Sequence, residues 1–204
     1  MPTQLKRPLR SRKLGRPRAF SENNALDAAV RVFWERSYEG ASVDDLTRAM
    51  GINRPSLYAA FGGKEALFKK AVGRYVDKQL FFVREALEKP TAREVAEALL
   101  TGTFEFLMDG SHPRSCLMVQ NLACGAEAEP VRKAMVWWRR RGQAALQKRL
   151  EAAQDQGDLP RSVSPAAFAG YLSAVQTGLA VHAANGVDRE ELGAILKMAL
   201  QTLR

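Results

Sequence analysis

Ser42 to Lys64 reads SVDDLTRAMGINRPSLYAAFGGK and holds two short helices joined by a tight turn. Ser42 is placed to cap the first helix while Asp45 answers from three residues on, a weaker version of the capping box. Gly51 ends that helix, Ile52-Asn53 form the turn, and Pro55 stands where a first helical turn tolerates proline. Gly62-Gly63 stops the second helix after Phe61. Leu46, Met50, Ile52 and Leu57 are spaced to lock the two helices together, which leaves Arg54, Ser56, Tyr58 and Ala59 facing outward. This is a helix-turn-helix layout. A DNA major groove about 12 Å wide admits one helix, whose N-terminal residues reach the base edges. Arg54 stands at that end, where its guanidinium suits the O6 and N7 of a guanine; the competing reading is an ordinary solvated charge.

Periodicity extends the helical reading through the rest of the chain. Upstream, a Ser21 cap opens a helix to about Arg36 with Leu26, Ala29, Val30 and Phe33 on one stripe, and Tyr38 and Gly40 mark its exit. Downstream, one long helix is predicted from Lys64 to about Lys89, stopped by Pro90 and long enough to link two lobes. Thr91 and Glu94 have capping-box spacing for a helix to about Met108. Further helices are expected over Ser115–Gly125, from Pro130 to a stop at Gly157, over Pro165–Asn185 and over Asp188–Leu203. The chain therefore reads as all-α with about nine helices.

The 204 residues carry 31 Lys plus Arg against 22 Asp plus Glu, a net charge of +9, with 46% hydrophobic content. Seven of those cations (Lys6, Arg7, Arg10, Arg12, Lys13, Arg16, Arg18) fall in residues 1–18 with no acid, which leaves 24 against 22 for the remainder. The basicity is an N-terminal arm suited to a polyanion, nucleic acid before an anionic membrane. Two cysteines exclude a disulfide-stapled scaffold, and MPTQLKRPLR lacks the apolar core of a secretory signal, so the expected compartment is the cytoplasm. Ser162 to Val187 has no charged residue, yet Gln176, His182 and Asn185 would need partners in lipid, and a helix buried against protein is the better reading. His112 and His182 lack the close spacing of a metal site, and no cofactor motif is present. Phosphate-cradling glycines, a nucleophile elbow and an HExxH pair are likewise missing, which argues against an enzyme.

The string GINRPSLYAAFGGKEALF, Gly51 to Phe68, resembles the signature of the tetracycline-repressor (TetR) class of bacterial transcription regulators, and AAVRVFWERSYEGASVDDL, Ala28 to Leu46, is similar to the helices that precede it there. The resemblance covers roughly residues 20–70 and implies a three-helix DNA-binding domain. By it, Ser42, Tyr58 and Lys64 would hold phosphates, and Arg54, Pro55 and Ser56 would face bases. Helix N-termini attract phosphate, and fixed phosphate contacts set the register from which a few side chains read sequence. Ala59 and Ala60 depart from the family's pattern. Ser37 occupies a helix exit where glycine is usual, a position at which a left-handed backbone disfavours a Cβ. Leu14-Gly15-Arg16-Pro17-Arg18 is similar to the core of an AT-hook, so Arg16 and Arg18 either read an A·T-rich minor groove or belong to a nonspecific electrostatic tether.

The expected organisation is a basic arm (1–18), a helix-turn-helix domain (19–63) and an effector-binding and dimerisation domain (64–204). Ala166, Gly170, Ala174 and Gly178 recur at every fourth position of the penultimate helix, a smooth strip along which a second copy could pack. The resemblance also implies a homodimer through the last two helices, matched to a palindromic operator. The candidate ligand-binding residues are Phe104, Met108, Met118, Asn121, Trp138 and Gln176, suited to a mostly apolar small molecule held by one or two hydrogen bonds, though each would equally serve as core. Adjacent helical positions point Trp137 and Trp138 about 100° apart, so one pocket cannot take both. Cys116 and Cys124, if on one helix, lie about 12 Å apart, too far for an internal disulfide, which leaves open a single sulfenate or a bridge between subunits. The function expected is a ligand-responsive, sequence-specific repressor; a cavity enzyme and an architectural DNA-coating protein are the alternatives. Deleting residues 1–18 is expected to weaken DNA binding and flatten its salt dependence by several units of log–log slope. A slope that does not change would exclude any role for the arm.

Overall fold

A computed structural model describes residues 21–121 and 128–202, and these form ten helices with no strand among them. Four helices build the N-terminal lobe: α1 (Glu22–Gly40), α2 (Val43–Met50), α3 (Arg54–Phe61) and α4 (Lys64–Gln79). Six follow: α5 (Phe81–Leu87), α6 (Ala92–Met108), α7 (Leu117–Gln120), α8 (Glu129–Asp155), α9 (Pro165–Ala184) and α10 (Arg189–Gln201). The starts obey local chemistry. Ser21, Ser42, Asn53, Thr91, Ser164 and Asp188 each accept a backbone N–H from the first turn of the helix they open, and the boxes at Ser42–Asp45 and Thr91–Glu94 are reciprocal.

Two apolar clusters hold the helices. The first buries Phe33 of α1, Leu46 of α2, Leu57 of α3 and Leu67, Phe68 and Tyr75 of α4, and it continues into Leu117 of α7 and Val131 and Met135 of α8. The second joins α6, α8, α9 and α10 through Leu99, Leu100, Leu107, Leu150, Leu172 and Leu192. No described helix is long and apolar enough to cross a membrane. The uncharged stretch after Ser162 is instead α9, which buries Leu172, Leu179 and Ala183 against protein.

Two predicted helices differ. The long helix from Lys64 breaks at Leu80 (φ −105°, ψ 28°), so α4 and α5 are separate. Arg84 donates to the Asp77 carbonyl at 2.9 Å, satisfying an acceptor that the break removes from the helical ladder. The turn carries Phe82 against Gly102 of α6, where a Cβ would stand 2.5 Å from the Phe82 ring. Of the helix expected over Ser115–Gly125, the described residues hold the four of α7, capped at Asn121, and residues 122–125 fall outside them. Cys116 precedes α7 rather than lying within it, and Cys124 falls outside the described residues, as do Leu203 and the whole arm with Arg16 and Arg18.

The joint between α1 and α4 is ionic as well as apolar. Asp27 accepts from Arg74 Nε and Nη2 at 2.7 and 2.9 Å and from Lys78 at 2.8 Å. The Arg74 hydrogen bonds, reinforced by Lys78, draw the Asp27 pKa down to about 2. Because the folded value lies below the unfolded one, this contribution is complete above the ordinary carboxylate pKa and is lost as pH falls toward 2. Forty per cent exposure of the Asp27 side chain keeps it modest.

Ser37 breaks the helical backbone of α1 at φ 58°, ψ 177°, a region that glycine occupies without penalty. Its neighbours impose the conformation: the Tyr38 amide donates to Asn121 Oδ1 at 2.7 Å, and the Tyr38 ring packs on Phe33 and Phe68. Ser37→Gly should therefore stabilise the protein by about 1 kcal/mol, a rise of roughly 2–4 °C in Tm for a chain of this size. Thermal unfolding checks this; a lower midpoint would mean that the side chain supports the bend.

Candidate DNA interface and effector cavity

The turn between α2 and α3 is built by Gly51, left-handed at φ 65°, and by Asn53, whose side chain accepts the Ser56 amide at 2.9 Å. Leu46 and Leu57 are fully buried between the helices, Met50 is buried and Ile52 half-buried, as their spacing requires. The outer face of α3 stays open. Arg54, Pro55, Tyr58 and Ala59 are exposed and Ser56 is half-buried, so one helix end presents a cation, a hydroxyl and a phenol to solvent.

Arg54 is not a free cation. Its Nε and Nη2 both donate to the Asp44 carboxylate at 2.8 Å, which lowers the Asp44 pKa and raises that of Arg54. A guanidinium has five N–H groups in a fixed fork. Asp44 engages the Nε side, which leaves the end-on pair pointing away from it and fixes the plane of the guanidinium. Sequence reading missed this partner because the two residues stand ten apart, on different helices.

Ser42 is spent on its own helix: the hydroxyl donates to Asp45 Oδ2 at 2.6 Å and accepts the Asp45 amide at 3.0 Å. The hydroxyl's hydrogen bond first, and then the Ser42 backbone N–H donating to the same Oδ2 at 3.1 Å, lower the Asp45 pKa. The helix start rather than the hydroxyl is what Ser42 offers an anion. Gly63 opens α4 without a side-chain cap, and its φ of 121° is what calls for glycine; a Cβ there would make only an ordinary 3.5 Å contact with the Tyr58 ring. Lys64 at the head of α4 rests its ammonium 4.5 Å from the centre of the Tyr38 ring, and burial draws its pKa below the usual lysine value.

A cavity of about 480 Å³ lies between α4, α5, α6, α7, α8 and α9. Met118, Trp138 and Gln176 border it, together with Phe82, Val83, Thr103, Phe106 and Cys116. Three expected wall residues do not border it. Phe104 turns toward α10 beneath the Arg189 guanidinium, 5.0 Å from its ring centre; Met108 accepts from Arg114 at 3.4 Å; Asn121 is fully buried and occupied by the Tyr38 amide and, through its own NH2, by the Leu117 carbonyl at 2.8 Å. Trp137 is 53% exposed while Trp138 turns inward, as their helical spacing dictates.

The cavity wall reaches the N-terminal lobe through rings. Phe106 stacks on Trp34 of α1 (centres 5.7 Å apart, planes 11° apart), and Trp34 also meets His112 at 4.5 Å and the edge of Tyr75 at 4.9 Å. The Trp34 indole N–H donates to the Ser115 carbonyl at 2.9 Å, one residue before Cys116. Cys116 accepts the Tyr75 hydroxyl at 3.4 Å. Burial, with Cys116 beside it, pushes the Tyr75 pKa well above its ordinary value and keeps the phenol neutral.

Residues 25–71 match the family model described as bacterial regulatory proteins, tetR family. The chain is also 39% identical to the TetR family transcriptional regulator CifR, in a structure complexed with 26-bp double-strand operator DNA, over 91% of this chain and 98% of that one, with a TM-score of 0.86. The chain belongs to the TetR family. It is similar to two Escherichia coli K12 proteins, the HTH-type transcriptional repressors ComR (29% identity; 93% of this chain and 90% of the relative) and BdcR (26%; 95% and 94%). Members of the family are transcriptional regulators and not enzymes, which settles the choice between regulator and cavity enzyme.

If Asp44 presents Arg54 rather than merely neutralising it, Asp44→Asn should weaken binding to the cognate operator severalfold while binding to random duplex stays constant or strengthens. Fluorescence anisotropy on both duplexes separates these readings; tighter binding to both alike would make Asp44 a simple electrostatic brake.

Proposed function

We propose that this TetR-family member is a homodimeric repressor that reads a palindromic operator and leaves it when a small, mostly apolar molecule fills the cavity. The observation that carries the reading is the exposed outer face of α3, with an arginine held at the end that meets base edges. Arg54, Pro55 and Ser56 face bases; Tyr58, Lys64 and the α2 start at Ser42 hold phosphates; Arg16 and Arg18 add contacts from the arm. The operator DNA bound by CifR and the repressor names of ComR and BdcR support this assignment.

Pairing through α9 and α10 is favoured by what they leave exposed. Tyr171, Val181 and Met198 are 39%, 43% and 65% exposed, beside the small residues Ala166, Ala174 and Gly178. A twofold axis through that face sets two α3 helices at one spacing, as a palindrome requires. Residues 64–204 then serve effector binding and pairing, with α4 and α1 carrying the cavity's state to the reading helix. An inducer works only by binding the released arrangement more tightly than the bound one. The regulator acts in the cytoplasm, where both operator and effector are within reach.

Selection of bound fragments from random DNA should return one inverted repeat. On it Arg54→Ala should lose about tenfold or more in affinity and relax preference at one base pair per half-site. Equal loss on every sequence would reduce Arg54 to a phosphate contact, and a footprint spreading along any duplex would favour the architectural alternative.

A further inference from the structure

The cavity's charges are all at its border, and they are unbalanced. Four ionisable residues line it besides Cys116: Asp77, Arg84, Arg139 and Arg141. Asp77 and Arg84 answer each other, with guanidinium and carboxylate 4.0 Å apart and the Arg84 N–H on the Asp77 carbonyl. Arg139 and Arg141 are exposed, and neither pairs with a carboxylate among the described residues; Arg141 lies 5.4 Å from the centre of the Trp137 ring. The inner wall is the opposite. Phe106, Met118, Trp138 and Leu146 supply apolar surface, and the polar groups there carry no charge: the Gln176 NH2 donates to Thr103 Oγ1 at 2.8 Å and Thr103 donates to the Leu99 carbonyl at 2.8 Å.

A charge carried inside would meet no counter-ion and would lose its hydration, a cost of several kcal/mol for an ion. An anion at the border would meet the uncompensated positive charge of Arg139 and Arg141, which follow Trp138 along α8, whereas a cation would be repelled there. We propose that the effector is an amphiphilic carboxylate, its apolar body against Phe106, Met118 and Trp138 and its carboxylate at the border that Arg139 and Arg141 make positive. This rests on the cavity being the effector site and adds the chemical class of the occupant. It also gives a direction to the signal, because the apolar end then presses on Phe106, the ring stacked on Trp34 of the DNA-facing lobe.

Decanoate, decan-1-ol and decylamine share one apolar body and differ in head charge, so binding of each to the full-length protein at neutral pH, followed by tryptophan fluorescence, isolates the border. Decanoate should bind about tenfold or more tightly than decanol, decylamine more weakly than either, and the advantage of decanoate should shrink with added salt. The double variant Arg139→Gln/Arg141→Gln should remove the decanoate advantage and leave decanol binding unchanged. Gly102→Ala, which drives the Phe82 ring toward the cavity, should weaken all three. Decanol binding as tightly as decanoate would overturn the anionic assignment while keeping the cavity as a ligand site. No binding of any of the three would overturn both.

Discussion

Trp34 is the constraint on which the rest of the structure depends. Its indole is 3% exposed, donates to the Ser115 carbonyl at 2.9 Å, and stacks between α1 and the loop and helix that wall the cavity. Aromatic contacts of this kind add roughly 0.5–1.5 kcal/mol beyond their buried area, and a buried indole N–H without an acceptor would cost more than that. Five lines of structure meet there: α1, Tyr75 of α4, Phe106 of α6, His112, and the segment leading to Cys116. A second tie, Asn121 to the Tyr38 amide, lies one turn further along α1 and holds the bend at Ser37. The lobe that carries α3 is therefore not a separate body on a flexible stalk. Its core runs directly into α7 and the first half of α8.

That continuity explains how a cavity could govern α3, which contributes nothing to its wall. Under the proposed function, an occupant would shift Phe106 or Met118, the shift would pass to Trp34 or to Tyr75, and α1 with its partner α4 would move α3 as one unit. Close-packed interiors transmit such displacements because they offer few intermediate arrangements. The break at Leu80 matters in the same way. It frees α5 to turn Phe82 and Val83 into the cavity wall while α4 stays with the DNA-facing lobe, held by Asp27 on Arg74 and Lys78.

Much of this was legible in the sequence where the signal is local. Helix caps at Ser21, Ser42 and Thr91, the glycine exits at Gly51 and Gly62, and the outward set Arg54, Tyr58 and Ala59 follow from spacing alone. Ser37 could be singled out as a strained exit because a side chain stood at a position that wants none. What escaped was tertiary. Nothing in the run from Lys64 to Lys89 marks Leu80 as a break, since its one glycine, Gly73, lies inside α4 and no proline comes before Pro90; packing of Phe82 on Gly102 decides it. Phe104, Met108 and Asn121 have the composition of a pocket wall, yet helix rotation and a backbone partner send them elsewhere, whereas Met118, Trp138 and Gln176 do reach the cavity. The Asp44–Arg54 pair joins residues on two helices, which no periodicity reports.

The most direct test of this continuity is the unfolding of a variant whose only tryptophan is Trp34, with Trp137 and Trp138 replaced by phenylalanine. Denaturant unfolding is followed by indole fluorescence, which reports the α1–cavity junction, and by far-UV circular dichroism, which reports all helices. One continuous core predicts coincident transitions. A fluorescence transition complete at denaturant concentrations where most helicity persists would show the DNA-facing lobe coming away on its own, and would contradict the account.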